Sequence, residues 1–140
     1  MIAVRPAAPG DVPVLVALMR QLSGQEIAPA MIAGLITPES GQAVLVAEEA
    51  GQVLGALAMN QSPMLHRPAP DARITSLVVD EAARGRGVGR KLVDAALETA
   101  RGWGCARLEL TTRKGRNDAH AFYRALGFED SSIRFHQVLD

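Results

Sequence analysis

The chain has 140 residues, 48% of them apolar, and its 15 basic and 15 acidic side chains give a formal net charge of zero. This length suits one domain over residues 1–140, and the balanced charge argues against nucleic acid or an anionic membrane as a partner. No apolar run approaches the roughly 18 residues of a membrane span, and the N-terminus lacks the pattern of a signal peptide. Because Cys105 is the single cysteine, no internal disulfide can form, and we expect a cytoplasmic location.

Hydrophobic periodicity and turn residues predict an alternation of helices and strands. In chain order the predictions are a strand over residues 2–5, helices over 12–23 and 29–36, a hairpin of strands 43–48 and 53–59, a loop over 61–72, a strand over 74–79, a helix over 88–103, a strand over 106–111, a helix over 118–126 and a closing strand over 132–139. Asp11 is a candidate N-cap of the first helix, and Gly127 is a candidate stop for the last. The order βααβββαβαβ predicts an α/β fold with a central mixed β-sheet flanked by about four helices.

The most informative stretch is Arg84-Gly85-Arg86-Gly87-Val88-Gly89, which follows an apolar strand and opens an amphipathic helix. Glycine lets the backbone turn tightly, and a helix N-terminus adds unpaired N–H groups with partial positive charge. These features predict a seat for a phosphate or diphosphate, beside which the two arginines add charge. Two other phosphate motifs, the P-loop and the dinucleotide fingerprint, fail because each, counted from Gly85, requires glycine at position 90, which is Arg90.

The loop also carries the pattern [QR]-x-x-G-x-[GA], and in this it resembles the GNAT superfamily of acyl-CoA-dependent N-acetyltransferases. Residues 79–84 are similar to the family's V-x-P-E-x-R motif, with Glu81 where proline is common. Residues 119–128 are similar to its A-x-x-[LF]-Y-x-x-x-G-F motif, and the two blocks stand in the family's order. The resemblance implies the GNAT fold, in which a splayed strand pair, often opened by a β-bulge, holds acetyl-CoA.

Roles for individual residues follow from this resemblance. It implies that the pantetheine arm pairs with the backbone of Leu77, Val78 and Val79, with an N–H of Leu77 or Val79 as oxyanion donor. It implies that the diphosphate is wrapped by the loop residues Arg84, Gly85, Arg86, Gly87, Val88 and Gly89. Tyr123 takes the place of the family's general acid, because a phenol keeps its proton at neutral pH and can protonate the leaving thiolate. The alternative for Tyr123 is a packing role beside Phe122.

The chain departs from the family where an asparagine often stands, seven residues before this tyrosine. Arg116 occupies that position, and Asn117 follows one residue later. Seven residues place Arg116 on the Tyr123 face of the helix, whereas Asn117 is turned away by about 100°. Both are candidates for cofactor contact, with capping of the helix as the alternative for Asn117.

The general base is left open by the sequence. Glu109, on the predicted strand over residues 106–111, is one candidate, with a salt-bridged surface carboxylate as the alternative. His120, three residues before Tyr123, is another, and a helix histidine with its own hydrogen-bond partner is the alternative. His66 in the proline-rich loop, a water chain or an amine that arrives deprotonated would serve as well. The histidines lack metal-ligand spacing, so we expect no metal.

The acceptor is predicted only as a small primary amine. The run from Arg116 to Tyr123, with Arg134-Phe135, is similar to aminoalkylphosphonate N-acetyltransferases, and also to other small GNAT enzymes, some of which modify aminoglycosides. Two alternatives remain, namely a protein N-terminal or lysine acetyltransferase and a catalytically silent acyl-CoA-binding module. Because the family often pairs through C-terminal strands, a homodimer is a further expectation.

Overall fold

The computed structural model describes all 140 residues and divides into two compact units, Met1–Glu109 and Leu110–Asp140, each described by itself. The first unit contains the elements β1 (Ala3–Pro6), α1 (Val12–Ser23), α2 (Pro29–Leu35), β2 (Gln42–Glu49), β3 (Gln52–Ser62), β4 (Asp71–Val79), α3 (Val88–Gly102) and β5 (Arg107–Glu109). The second contains α4 (Asn117–Ala125). No helix is both long and apolar enough to cross a membrane. The predicted single domain over residues 1–140 stays a prediction.

The five strands form one mixed sheet in the order β1-β2-β3-β4-β5. Neighbours are antiparallel up to β4, and β5 joins β4 in parallel. That parallel pairing extends only from Asp71 opposite Arg107 to Arg73 opposite Glu109. The remainder of β4, residues 74–79, therefore has no strand partner on its β5 side, which confirms the predicted splayed pair.

Helices cover both faces of this sheet. On one face, α1 and α2 contribute Leu15, Leu18 and Ile32 to a cluster with Ala56 and Val78 of the sheet. On the other face, α3 buries a stripe at helical spacing, made of Val88, Leu92, Val93, Ala96 and Ala100. The predicted mixed sheet is thus confirmed, and the chain contains four α-helices, of which α1, α2 and α3 pack on the sheet.

The close approach of α3 to the sheet depends on Gly55 in β3. A Cβ at this position would lie 2.8 Å from the backbone oxygen of Val78, 3.0 Å from Cγ1 of Val88 and 3.3 Å from Cδ1 of Leu92. Only a residue without a side chain fits such a contact, because real Cβ atoms do not approach a backbone oxygen this closely. The position of the α3 N-terminus beside β4 is therefore set by one glycine.

Most predicted elements are confirmed with ends displaced by one to three residues. The loop predicted over residues 61–72 is shorter, because the β3–β4 ladder continues to Ser62 opposite Asp71 and leaves only residues 63–70 outside it. The strand predicted over residues 106–111 is likewise reduced to β5. Asp11 directly precedes α1 but caps none of its N–H groups, because its carboxylate accepts hydrogen bonds from Arg5 at 2.7 and 3.0 Å and from the Ala8 N–H at 2.7 Å.

The prediction of a closing strand over residues 132–139 was wrong. These residues form no helix or strand, and their large apolar side chains, at Ile133, Phe135, Val138 and Leu139, are 77–90% exposed. Alternating apolar residues indicate a strand only when a neighbouring strand satisfies their backbone groups, and here none does.

Candidate active site

The open edge of β4 follows a β-bulge at Thr75. Ser76 lies opposite Ala58 and Ile74 lies opposite Met59, so Thr75 is the extra residue without a partner. Its hydroxyl donates a hydrogen bond to the Ala58 carbonyl over 3.3 Å. The bulge therefore separates the start of β4, which pairs with β5, from residues 77–79, which are the predicted contacts of the cofactor.

The backbone of this segment presents donors to the open edge at two residues. The Asp80 N–H donates to the Leu54 carbonyl of β3 over 2.8 Å. Because successive N–H groups of a strand point to opposite edges, the N–H of Val78 also points toward β3, whereas those of Leu77 and Val79 point to the edge that β5 leaves open. Leu77 and Val79 thus remain candidates for cofactor donors, and Val78 contributes its buried side chain to the core.

The chain then turns into the glycine-rich loop. The Asp80 carboxylate accepts a hydrogen bond from the Ala82 N–H over 3.0 Å and starts a short 3₁₀ turn, which ends at the buried Ala83. Gly85 and Gly87 both have φ of 80°, in the left-handed region where glycine is favoured. No protein atom lies within 4 Å of a Cβ built on either glycine, so the space above them is open.

Gly87 is also the N-cap of α3, and no side chain caps this helix. The N–H groups of Val88, Gly89 and Arg90 lie in the first turn, where an α-helix offers no internal acceptor. Together with the positive end of the helix dipole, these donors are suited to an anion, and the predicted diphosphate seat at this loop stays a prediction.

Four exposed cations surround this seat, at Arg84, Arg86, Arg90 and Lys91. Arg86 is paired with the carboxylate of Glu49, the last residue of β2, and the other three form no ion pair. The Arg86 guanidinium holds the pKa of Glu49 below its usual value, so this carboxylate is ionised at neutral pH. The loop therefore has an excess of positive charge, and one of its four cations, Arg86, is already neutralised by Glu49.

Glu109 occupies the point where β4 and β5 part. Its carboxylate is 3.1 Å from Nη1 of Arg73, its partner in the last residue pair of the two strands, and its side chain is 44% exposed. The salt-bridged carboxylate is thus the arrangement that the structure contains. Its role as general base stays a prediction.

In the second unit, α4 holds Tyr123 in a Schellman motif. The Phe128 N–H donates to the Tyr123 carbonyl and the Gly127 N–H to the Arg124 carbonyl, both over 3.0 Å, and Gly127 has φ of 94°. The Tyr123 ring makes edge-to-face contacts with Phe122 and Phe128, with centroids 5.1 and 5.8 Å apart. Gly127 is therefore confirmed as the stop of the helix, and Tyr123 packs beside Phe122 as its alternative interpretation states; its role as general acid stays a prediction.

Burial raises the pKa of the Tyr123 phenol, and the nearby charge of Arg116 opposes this to a smaller extent. The phenol therefore keeps its proton at neutral pH, as a general acid must. Arg116 is the residue just before α4, with φ of −91° and ψ of 72° outside the helical region, so helical spacing does not fix its face, and its contact with the cofactor stays a prediction. The alternative of Asn117 as a cap was wrong, because α4 begins at Asn117 and the N-cap position before it belongs to Arg116.

His120 already has a hydrogen-bond partner. Its Nε2 is 2.8 Å from the Arg113 carbonyl. Since a carbonyl can only accept, Nε2 carries the proton and Nδ1 is the nitrogen left to act as a base. The helix histidine with its own partner is thus what the structure contains, and a catalytic role stays a prediction.

The structure adds one feature that the sequence interpretation missed, the contact of Glu49 with Arg86. No pattern in the sequence indicates this contact, because Glu49 precedes Arg86 by 37 residues and the two meet only through the order of the strands. The bulge that the resemblance implies is present at Thr75, and the sequence indicates its position, since the apolar residues Ile74 and Leu77 are three apart where a regular strand would space them by two.

Comparison with known proteins places this geometry in a family. The chain matches the model of the acetyltransferase (GNAT) family over residues 17–128. It is 36% identical over 89 residues to an aminoalkylphosphonate N-acetyltransferase of Salmonella typhimurium, covering 64% of this chain and 58% of that protein. It is 33% identical over 94 residues to glucosamine 6-phosphate N-acetyltransferase 1 of Oryza sativa subsp. japonica, covering 65% and 55%, so less than two thirds of either relative is spanned.

A solved structure covers the whole fold. A putative acetyltransferase from Agrobacterium tumefaciens superposes with a TM-score of 0.88 at 34% identity, over 98% of this chain and 99% of that one. The family match over most of the chain and this superposition agree with each other. The chain therefore belongs to the acetyltransferase (GNAT) family and has its fold.

Proposed function

We propose that the protein transfers the acetyl group of acetyl-CoA to a primary amine of a small molecule by direct attack. One observation carries the proposal: the open edge of β4 leads, through a single loop, into the uncapped N-terminus of α3. The first feature offers backbone donors to amides, and the second offers them to an anion. Coenzyme A carries both groups.

The residues present fit such a cofactor. The N–H groups of Leu77 and Val79 would pair with the pantetheine arm, and the open space above Gly85 and Gly87 admits a diphosphate close to the backbone. Bound acetyl-CoA would supply an activated thioester. An outward N–H of β4 would donate to the carbonyl oxygen as negative charge develops there, which is the usual role of an oxyanion donor.

Proton transfers complete the proposal. The family resemblance assigns the general acid to Tyr123, and the raised pKa of its phenol supports this role, because the proton must be present before the thiolate leaves. The amine must lose a proton before or during attack. Glu109 and Nδ1 of His120 are both candidates for receiving it, directly or through water.

The acceptor is proposed to be a small amine that also carries an anionic group. The names of two relatives describe amines that carry a phosphonate or a phosphate. Both compounds are small enough for a pocket and need no peptide groove. A cationic acceptor has less support from these relatives.

The experiment that tests the proposal is acetyl transfer from acetyl-CoA to a mixed panel, with products identified by mass spectrometry. The panel contains amino acids, aminophosphonates, amino sugar phosphates, polyamines, aminoglycosides and short peptides. Acetylation of one class of small amine is the expected result. Acetylated peptides alone would replace the proposal with a protein acetyltransferase, and binding of acetyl-CoA without any product would favour a silent binding module.

A further inference from the structure

Glu49 pairs its carboxylate with Arg86, one of the cations beside the proposed anion seat, and its backbone is held in a regular strand. It ends β2, its backbone pairs with Gln52 across the hairpin, and the turn that follows is fixed by Ala50 and Gly51 with φ of 52° and 80°. Its carboxylate contacts Nη2 of Arg86, and its Oε2 also lies 3.4 Å from the exposed N-terminal ammonium of Met1. The ladder holds the backbone of Glu49, and its side chain is shorter than that of Arg86, so the arginine is the partner with more freedom to move.

The contact holds the guanidinium away from the open edge of β4. In the strand order, β3 separates β2 from β4, so the ends of β2 and β4 are about 10 Å apart. Carboxylates and phosphates both accept hydrogen bonds from the N–H fork of arginine. An anion on the seat would therefore compete with Glu49 for Arg86, and it would meet the unpaired Arg84 and Arg90 without such competition.

We propose that Glu49 is a resident competitor for Arg86, which weakens the binding of coenzyme A and eases its release. The carboxylate gives up Arg86 when the diphosphate arrives and takes it back when the product leaves. The inference rests on the proposed function, since it takes the loop as the diphosphate seat. Glu49 is a positioning residue, because it acts through Arg86.

The size of the effect follows from the exposure of the pair. The Glu49 and Arg86 side chains are 30% and 45% exposed. Ion pairs exposed to this degree change an equilibrium constant by a factor of about 1.4 to 5. We expect Glu49→Gln, which keeps the shape and removes the charge, to tighten CoA binding by a factor in the upper part of this range.

The test is the Kd of CoA by isothermal titration calorimetry for the wild-type protein and for Glu49→Gln. Glu98→Gln is the charge control, because it also removes one carboxylate that is paired with an arginine, here Arg101, but in a more exposed pair near the other end of α3. In an Arg86→Gln background, Glu49→Gln should change nothing. Circular dichroism and thermal unfolding verify the fold of each variant.

The outcomes separate this inference from the function on which it rests. A Kd that is unchanged or weaker in Glu49→Gln would overturn the competition, and so would an equal gain in the Arg86→Gln background, because the gain would then come from long-range charge alone. Failure of the wild-type protein to bind CoA would overturn the proposed function and the inference together. A tighter Kd that depends on Arg86 would establish the role of Glu49.

Discussion

Replacing Gly55 with alanine tests whether the packing under the site is as tight as the structure indicates. The added Cβ would lie 2.8 Å from the Val78 carbonyl oxygen and 3.0 Å from Cγ1 of Val88, the first residue of α3. A backbone oxygen cannot rotate away, so β3 and β4 must separate or α3 must move. Overpacking of this kind costs about 1–3 kcal/mol, which would lower the Tm by roughly 3–10 °C in a chain of this size.

The assay is equilibrium unfolding in urea. The change in the free energy of unfolding is taken from the shift of the midpoint, and an unchanged m-value shows that the two proteins expose the same surface on unfolding. Gly34→Ala is the control, since Gly34 lies in α2 with open space around its Cα, and alanine there should stabilise the helix by about 0.5–1 kcal/mol. Because the clash reaches Val88 at the start of α3, Gly55→Ala should also weaken CoA binding. A Gly55→Ala protein at least as stable as the wild type would refute the packing argument.

Three further predictions concern the loop, the acid and an ion pair. Gly87→Ala should weaken CoA binding in calorimetry, because alanine at a φ of 80° costs about 1–2 kcal/mol; equal affinity would remove Gly87 from the seat. Tyr123→Phe should lower kcat by about 10²-fold or more and leave the Kd of CoA unchanged, and an unaltered kcat would exclude it as the acid. Asp11 has its pKa lowered by Arg5, so its contribution to stability is complete above about pH 4 and is lost as the pH falls through the lower folded pKa. Asp11→Asn should therefore flatten the stability profile in acid unfolding, and a profile parallel to the wild type would contradict this assignment.

Features that depend on neighbouring residues in the chain could be predicted from the sequence. The stripe of α3 repeats at helical spacing, and the glycines before it mark both the turn and the helix start, so this part of the site was predicted within one residue. Gly127 as the stop of α4 is equally local, since a left-handed residue after the last turn is all that it requires. Local physics therefore sufficed for the turn before α3, the start of α3 and the end of α4.

Features that depend on distant partners could not be predicted. The segment over residues 132–139 has strand composition, yet no strand lies beside it, and a pattern cannot supply one. The partners of Glu109 and Arg86 likewise depend on strand order, because Arg73 meets Glu109 through the parallel pair and Glu49 meets Arg86 through the hairpin. Composition indicates that these residues are charged, whereas the topology decides which of them are neutralised.

The bulge at Thr75 explains how the end of β4 can belong to the core and to the site together. Without the extra residue, Ser76 and Val78 would continue the face of Ile74; with it, Leu77 and Val79 take that face, opposite Leu57 and Gly55 of β3. Val78 then joins the cluster under α1 and α2, whereas Leu77 and Val79 lie half-buried on the other face. Packing uses only the side chains, and it leaves the outward N–H groups of alternate residues for a ligand. The apolar side chains at positions 77–79 therefore indicate a strand of the core. The irregular spacing around Thr75 indicates the bulge, beyond which the proposed site lies.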